Sequence, residues 1–466
     1  VTFTPELAEI RFGCGLSPDL APPPSPQALL DGLGGPDVIA ERFTIPRFAD
    51  LAPRAVEIRA LQKQRRDARG TAAESELADA YKQVIRALRS DATLWYGATV
   101  LRWTWTETGL RERLALFWAD HFTARGKNGF MSAAGSPYIE EAIRPNITGR
   151  FADLLIAVVT HPLMLHFLDQ MQSVGPGSRA ARKAREKGRA RQPGLNENLA
   201  REVLELHTLG VGGPYGQDDV RQLAELFTGL SFTPGEGFVF RPRQAEPGAE
   251  TVLGRSYGGN PATLESIHAA LEDIAAHPAT ARHVAWKLAV HFVADDPDPA
   301  LVDHVAARYL ASDGDLMAVY AALLEHPAAW DPRLANVKPP ADFIASTCRA
   351  LAVAPDRLGE KRLKLIRRVL LGPMAVMGQP WQKPGGPDGW PEEDGDWITP
   401  QGLAARMRWA MAAPALLRPD LPDPRAFVTT ALGPFAGEPV QFAAKAAETR
   451  EEAIGLVLSA PAFQRR

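Results

Sequence analysis

Residues 195–232 read LNENLAREVLELHTLGVGGPYGQDDVRQLAELFTGLSF, and the spacing of their apolar residues sets the fold class. Asn196 is a good helix cap, Glu197 suits a first turn and Gly210 ends the run, so residues 197 to 209 are expected to form a helix of about three and a half turns. At about 100° per residue, Asn198, Glu202 and Glu205 fall on one narrow polar arc. Leu199, Val203, Leu204 and Leu206 cover most of the remaining circumference, with His207 in the middle of the apolar arc, so the helix is expected to be mostly buried. A second helix follows, capped by Asp218 or Asp219 and running to about Thr228, with Val220, Leu223, Leu226 and Phe227 on its inner face. Together the two make a helical hairpin.

Outward from this hairpin the chain is again helical. Residues 1–50 are Pro-rich, broken by PPPSP at 22–26, and read as an arm with short helices. Residues 51–172 form an N-terminal helical region, charged at first and aromatic in LWYGATVLRWTWTETGLRERLALFWADHF. Residues 173–194 are a loop with seven basic residues and one Glu between 179 and 191. Residues 195–260 hold the signature hairpin and two short strands, Phe238–Pro242 and Thr251–Gly254, expected to pair around the turn Glu246-Pro247-Gly248. Residues 261–466 are a C-terminal helical region interrupted by a Trp- and Gly-rich loop at 378–398. The expected fold is mainly α, a single large multi-helix assembly with a small β-hairpin.

Composition sets the bounds. A chain of 466 residues that is 45% hydrophobic can bury a large core. With 52 basic against 55 acidic residues, the net charge of −3 gives no global attraction to nucleic acid or an acidic membrane. Cys14 and Cys348 make neither a disulfide framework nor a metal knuckle. The apolar run Leu154 to Val159 is too short to span a bilayer, and the first residues lack a charged start followed by an apolar run. Walker and GxGxxG patterns are missing, so NTPase and dinucleotide oxidoreductase chemistry lack their usual motifs.

Four groups of residues carry chemistry. Glu202 and Glu205, three apart on one face, suit a general acid and base or a pair of metal ligands, with Asn198 and Arg201 beside them. An ordinary ladder of Glu197, Arg201 and Glu205 at i, i+4 and i+8 uses the same residues. His121, Asp120 and His207 supply ligand types for a divalent metal, although no HExxH or repeated ExxH fixes a geometry, and His121 among Phe117, Trp118 and Phe122 also reads as a core histidine. Trp381, Trp390 and Trp397 among Gly, Pro and acids resemble a platform for sugar rings, or else anchor their loop, and Glu246 is a further candidate substrate contact. The basic loop could meet phosphate groups, but it lacks interleaved aromatic residues, and the connection of about eight residues in the helical hairpin is too long for a DNA-binding helix-turn-helix. Nucleic acid is therefore not an expected partner.

The string NENLAREVLELHTLGV, followed by Tyr215 and DDVRQLAELFTGLSF, closely resembles the signature of a large bacterial family known as domain of unknown function 1800. RFGCGLSP at 11–18, FWADHF at 117–122, RPNITGRFADLLIAVVTHPLMLHFLD at 144–169, HPATARHVAWKLAVHFVADDP at 277–297 and MGQPWQKPGGPDGWPEEDGDWI at 377–398 agree with it too. The resemblance implies a helical bacterial protein, often encoded beside an alkaline-phosphatase-like partner with a twin-arginine export signal. It is expected to be cytoplasmic, or periplasmic by co-export with such a signal-bearing partner. Family members commonly carry a His before an acidic residue after the signature helices, where this chain has Ala245 before Glu246.

Two functions from different classes are consistent with these residues. One is a hydrolase-like enzyme acting on a polymeric or phosphorylated substrate through Glu202 and Glu205, with Asn198, Arg201 and His121 positioning it, and it requires a pocket at Glu202. The other is a non-catalytic accessory or escort protein for the phosphatase-like partner, in which Arg201 and Glu205 are spent on internal pairs.

Overall fold

The computed structural model describes residues 3–188 and 194–466. Helices dominate, and the β structure among the described residues is two antiparallel two-stranded sheets. The fold is mainly α, as the apolar spacing requires.

The signature helix is irregular. Asn198–Glu202 is α-helical, and Val203–Thr208 continues it as a π-helix. The wider turn shows in bonds that reach five residues back, from the Leu209 N–H to the Leu204 carbonyl at 3.0 Å and from the Thr208 hydroxyl to the Val203 carbonyl at 2.5 Å. Glu197, not Asn196, occupies the cap, while the Asn196 side chain accepts the Asn198 N–H at 3.0 Å. The partner helix spans Gln217–Leu226 with Gly216 at its cap. Asp219 lies inside the first turn, where its carboxylate accepts the Gly216 N–H at 2.9 Å and the Leu253 N–H at 2.7 Å. One side chain thus closes the helix end and ties it to the β structure.

The strands pair differently from the expected single hairpin around Glu246. β1 (Leu230–Thr233) pairs with β2 (Gly237–Phe240), and β3 (Gly248–Val252) pairs with β4 (Arg255–Gly259). The β3–β4 connection is the two-residue turn Leu253-Gly254, both at positive φ (51° and 75°), which matches the twist of the flanking strands. The Glu246-Pro247 segment instead serves as an anchor. Its Glu246 carboxylate accepts the Gly177 N–H at 2.7 Å, and its own N–H donates to the Thr228 hydroxyl at 2.7 Å.

The basic segment is not all loop. Arg179–Glu186 is a helix capped by Ser178, whose hydroxyl accepts the Ala181 N–H at 3.1 Å, and residues 189–193 of the expected loop lie outside the described residues. Ala180 donates to the Arg243 carbonyl at 2.9 Å and Gly175 to that of Gln244 at 2.9 Å, so the segment is fastened to the turn before β3.

Two apolar clusters make up most of the core. The larger is built on Gly109–His121, Phe151–Val159, Pro278–Phe292 and Leu316–Glu325, with Trp118 fully buried. Its indole N–H donates to the Tyr320 hydroxyl at 2.6 Å, which donates to the Ile147 carbonyl at 3.0 Å, so these two buried polar groups are paired. The second cluster packs Tyr96, Val100 and Leu101 of the 32-residue helix Glu74–Trp105 against Pro340–Ala350, Pro400–Leu417 and Arg450–Ser459. Loop 378–398 bridges the two. Trp381 packs on the second cluster, while the Trp390 backbone is bonded to Asp120 at the edge of the first. No helix among the described residues is long and apolar enough to cross a membrane.

Candidate functional site

Helix Gly109–His121 turns Phe117, Trp118 and His121 into the core and presents Asp120 to loop 378–398. The Trp390 N–H reaches both Asp120 oxygens, at 3.0 and 3.2 Å. Gly389 makes this approach possible: its φ is +81°, and a Cβ there would stand 2.8 Å from the Asp120 carbonyl oxygen and 2.9 Å from Oδ2. Near the end of Pro278–Phe292, His291 meets the same loop, its Nδ1 lying 3.0 Å from Oε2 and 3.1 Å from Oε1 of Glu392. Asp120, His291 and Glu392 all line one cavity of about 130 Å³, walled by Trp381, Trp390 and Trp397.

The electrostatics separate the two carboxyl groups. Burial, then the neighbouring Glu392 charge, push Asp120 up to about 7, against the pull of the Trp390 N–H. Burial also opposes ionisation of Glu392, but the contact with His291 and the nearby Lys287 and Arg466 cations hold it down at about 2. His291 is pushed down to about 4, burial outweighing the attraction of Glu392, so near neutral pH the ring is uncharged. A neutral ring beside an ionised carboxylate places its proton on Nδ1, donated to Glu392, and leaves a lone pair on Nε2. That Nε2 is buried and has no partner among the described residues.

The residues expected from sequence divide between this cavity and other places. Asp120 and, 261 or more residues later in the chain, Trp381, Trp390 and Trp397 converge on it. The Trp side chains anchor as well as line: the Trp397 indole N–H donates to the Pro391 carbonyl at 3.1 Å, and Trp381 packs on Tyr96 with ring centres 4.9 Å apart. Glu202 and Glu205 do not line the cavity. They are half-buried, and Glu202 is raised by burial first and then by the Glu205 charge. Arg201 is held by Glu197 at 3.2 Å, one step of the expected helix ladder, and by Gln217 at 3.0 Å where that ladder expected Glu205, and Asn198 is exposed. Glu246 holds Gly177 and lies outside the cavity.

The histidines serve the signature helix. His121 Nε2 lies 3.1 Å from the His207 carbonyl, and His283 Nε2 lies 3.0 Å from that of Leu206. Both carbonyls belong to the π-turn, and rings from two other helices satisfy them. The His207 ring is 1% exposed, set edge-on to Phe122 at 5.1 Å, and burial lowers it to about 3. With His121 committed to a carbonyl, His207 inside the apolar core and Asp120 facing the cavity, the three do not form a divalent-metal site. No group of three or more His, Cys, Asp or Glu among the described residues is arranged to hold a metal.

A family model described as "Protein of unknown function (DUF1800)" matches residues 14–465. The chain belongs to the DUF1800 family. Searches of curated proteins and of solved structures each return no match. His291 and Glu392, which sequence reasoning did not single out, lie within two of the segments that resemble the family, HPATARHVAWKLAVHFVADDP and the Trp-rich loop. They are 101 residues apart, so no spacing rule connects them.

Proposed function

We propose that this DUF1800 protein is a hydrolase-like acid/base enzyme whose site is the Trp-walled cavity. The observation that carries this reading is the His291–Glu392 pair, in which a ring with one unpartnered, buried nitrogen belongs to a residue lining the same cavity as Asp120. A carboxylate bonded to Nδ1 fixes the tautomer and orientation of the ring, and Nε2 is then free to take a proton. Asp120, raised towards neutrality, is the complementary proton donor. His291 Nε2 removes a proton from water, the resulting hydroxide forms the new bond to the substrate, and Asp120 protonates the departing oxygen. One water is consumed, and both side chains recover their states by exchange with solvent. In this reading Glu202 and Glu205 stand outside the chemistry. The aromatic walls favour a substrate with ring faces, in keeping with a polymeric or phosphorylated sugar.

An escort role for an alkaline-phosphatase-like partner is the second reading, favoured by the internal pairing of Arg201 with Glu197 and Gln217. A panel of 4-nitrophenyl glycosides, phosphomonoesters and phosphodiesters separates the two. The enzyme reading expects turnover of one class, with kcat reduced about 10²- to 10⁴-fold in Glu392→Gln and in Asp120→Asn. Turnover that survives both substitutions overturns it, as does a panel without turnover accompanied by a stoichiometric complex with the phosphatase-like protein.

A further inference from the structure

Two other residues lining the cavity are buried cations. Arg113 and Arg466, 2% and 3% exposed, share one carboxylate: Asp342 accepts from Arg113 Nη1 at 2.6 Å and from Arg466 Nη1 at 3.2 Å. Lys338 and Arg406, also buried, lie close enough to Asp342 for its charge to act on theirs. The neighbouring carboxylates are already engaged, Glu9 with Arg349 at 3.0 Å, Asp394 with Arg465 at 3.1 Å and Glu392 with His291. Asp342 is thus the carboxylate bonded to both guanidinium groups of the cavity.

The hydrogen-bond inventory leans the same way. Arg466 Nε, Trp103 Nε1 and Trp381 Nε1, all from residues that line the cavity, are buried donors with no acceptor among the described residues, and Arg406 Nε and Nη2 behind them are in the same condition. A buried donor without an acceptor is destabilising, and a buried charge without a counter-charge more so. Arginine and indole N–H groups donate and do not accept, so what completes this region is rich in acceptor oxygens and negatively charged.

We propose that Arg113 and Arg466 form an anion subsite in the cavity, which takes the carboxylate or phosphate of an acidic or phosphorylated sugar whose ring lies against the Trp381 and Trp390 side chains. The proposal rests on the cavity being the reaction site argued above and names its substrate class. Arg466 positions the anion, and Asp342 holds both guanidinium groups in place and competes with the ligand for them.

The test is equilibrium binding to the full chain, followed by calorimetry and tryptophan fluorescence, with four probes: glucose, glucuronate, glucose 6-phosphate and inorganic phosphate. At least one anionic sugar is expected to bind tenfold or more tighter than glucose, with the advantage shrinking at high salt. Glucuronate leading identifies a carboxylate, and glucose 6-phosphate leading identifies a phosphate. Arg466→Gln should abolish the preference, and Asp342→Asn, which removes the competing carboxylate, should increase it. Equal affinity for glucose and both acids, no binding of any probe to the wild type, or a preference intact in folded Arg466→Gln overturns the subsite. Binding is independent of turnover. Anion preference that persists in Glu392→Gln, with no hydrolysis by the wild type, sinks the acid/base reading alone, whereas hydrolysis without anion preference sinks the subsite alone.

Discussion

His291 Nδ1 lies 3.0 Å from Glu392 Oε2, a contact between the end of a core helix and a Pro- and Gly-rich loop 101 residues later. It is the relationship on which the proposed chemistry of the cavity turns. It fixes which imidazole nitrogen carries the proton, and its carboxylate charge contributes to holding Asp120 protonated.

The first prediction is a pH profile. The base must be neutral and the acid protonated, so kcat/KM should rise as pH passes His291 at about 4 and fall as it passes Asp120 at about 7. Glu392→Gln removes a charge that raises both groups, and both limbs should move to lower pH. A profile with limbs that stay in place in this variant would falsify the assignment.

Stability should depend on pH through Asp120 in a definite direction. Its carboxyl is raised from 3.8 to about 7 in the folded chain, so between those values the folded state holds a proton that the unfolded state has lost. The contribution is complete below 3.8 and disappears as pH rises through 7. Asp120→Asn has no such loss and can still accept the Trp390 N–H. Relative to the wild type it should gain on the order of 1–4 kcal/mol between pH 4 and pH 8, measured by urea melts at both values. A constant difference between the two proteins argues against a raised Asp120.

Gly389→Ala tests the loop placement. With φ at +81° and backbone in the way of a Cβ, the variant must move the loop off Asp120, at a cost above about 1 kcal/mol. Thermal melts should show that loss, together with a larger effect on KM than an alanine introduced at Gly395, where a Cβ meets nothing within 4 Å.

His121→Ala and His283→Ala should each destabilise the protein by about 1–3 kcal/mol, because each strands a carbonyl of the π-turn. Metal content, read by elemental analysis of protein purified without chelator, should be the same in both variants as in the wild type. Stoichiometric metal that vanishes with His121 would restore the metal reading of that residue.

Glu202→Gln combined with Glu205→Gln removes two neighbouring half-buried like charges, of which Glu202 is raised by burial and by Glu205. Since neither lines the cavity, kcat/KM should stay within about threefold of wild type, and stability at pH 8 should be equal or higher. A fall of a hundredfold in activity with an unchanged melt would return these carboxylates to the chemistry.

The helices, the buried hairpin at 197–226 and the loop at 378–398 were legible because they depend on local rules. Apolar spacing, caps and Gly or Pro breaks act within a few residues. So was part of the candidate site, since Asp120 and the three Trp stood out by residue type. Other features were not local. The π-turn at Val203–Thr208 depends on His121 and His283 arriving from other helices to satisfy its carbonyls. The pairing of β3 with β4 was decided by the Leu253-Gly254 turn and by Glu246 being drawn away to Gly177.

By itself, then, the sequence determined the helical class and the family, because both follow from neighbouring residues or from a signature read in order. Only the tertiary structure decided that Asp120, His291, Glu392, Arg113 and Arg466 share one cavity while Glu202 and Glu205 stand outside it. The physical reason is that ionisation and hydrogen bonding respond to burial and to distance in space. Asp120 is moved to about 7 by burial and by the distant Glu392, and Glu392 is held at about 2 by His291, Lys287 and Arg466, none of them near it in the chain, which no local pattern encodes.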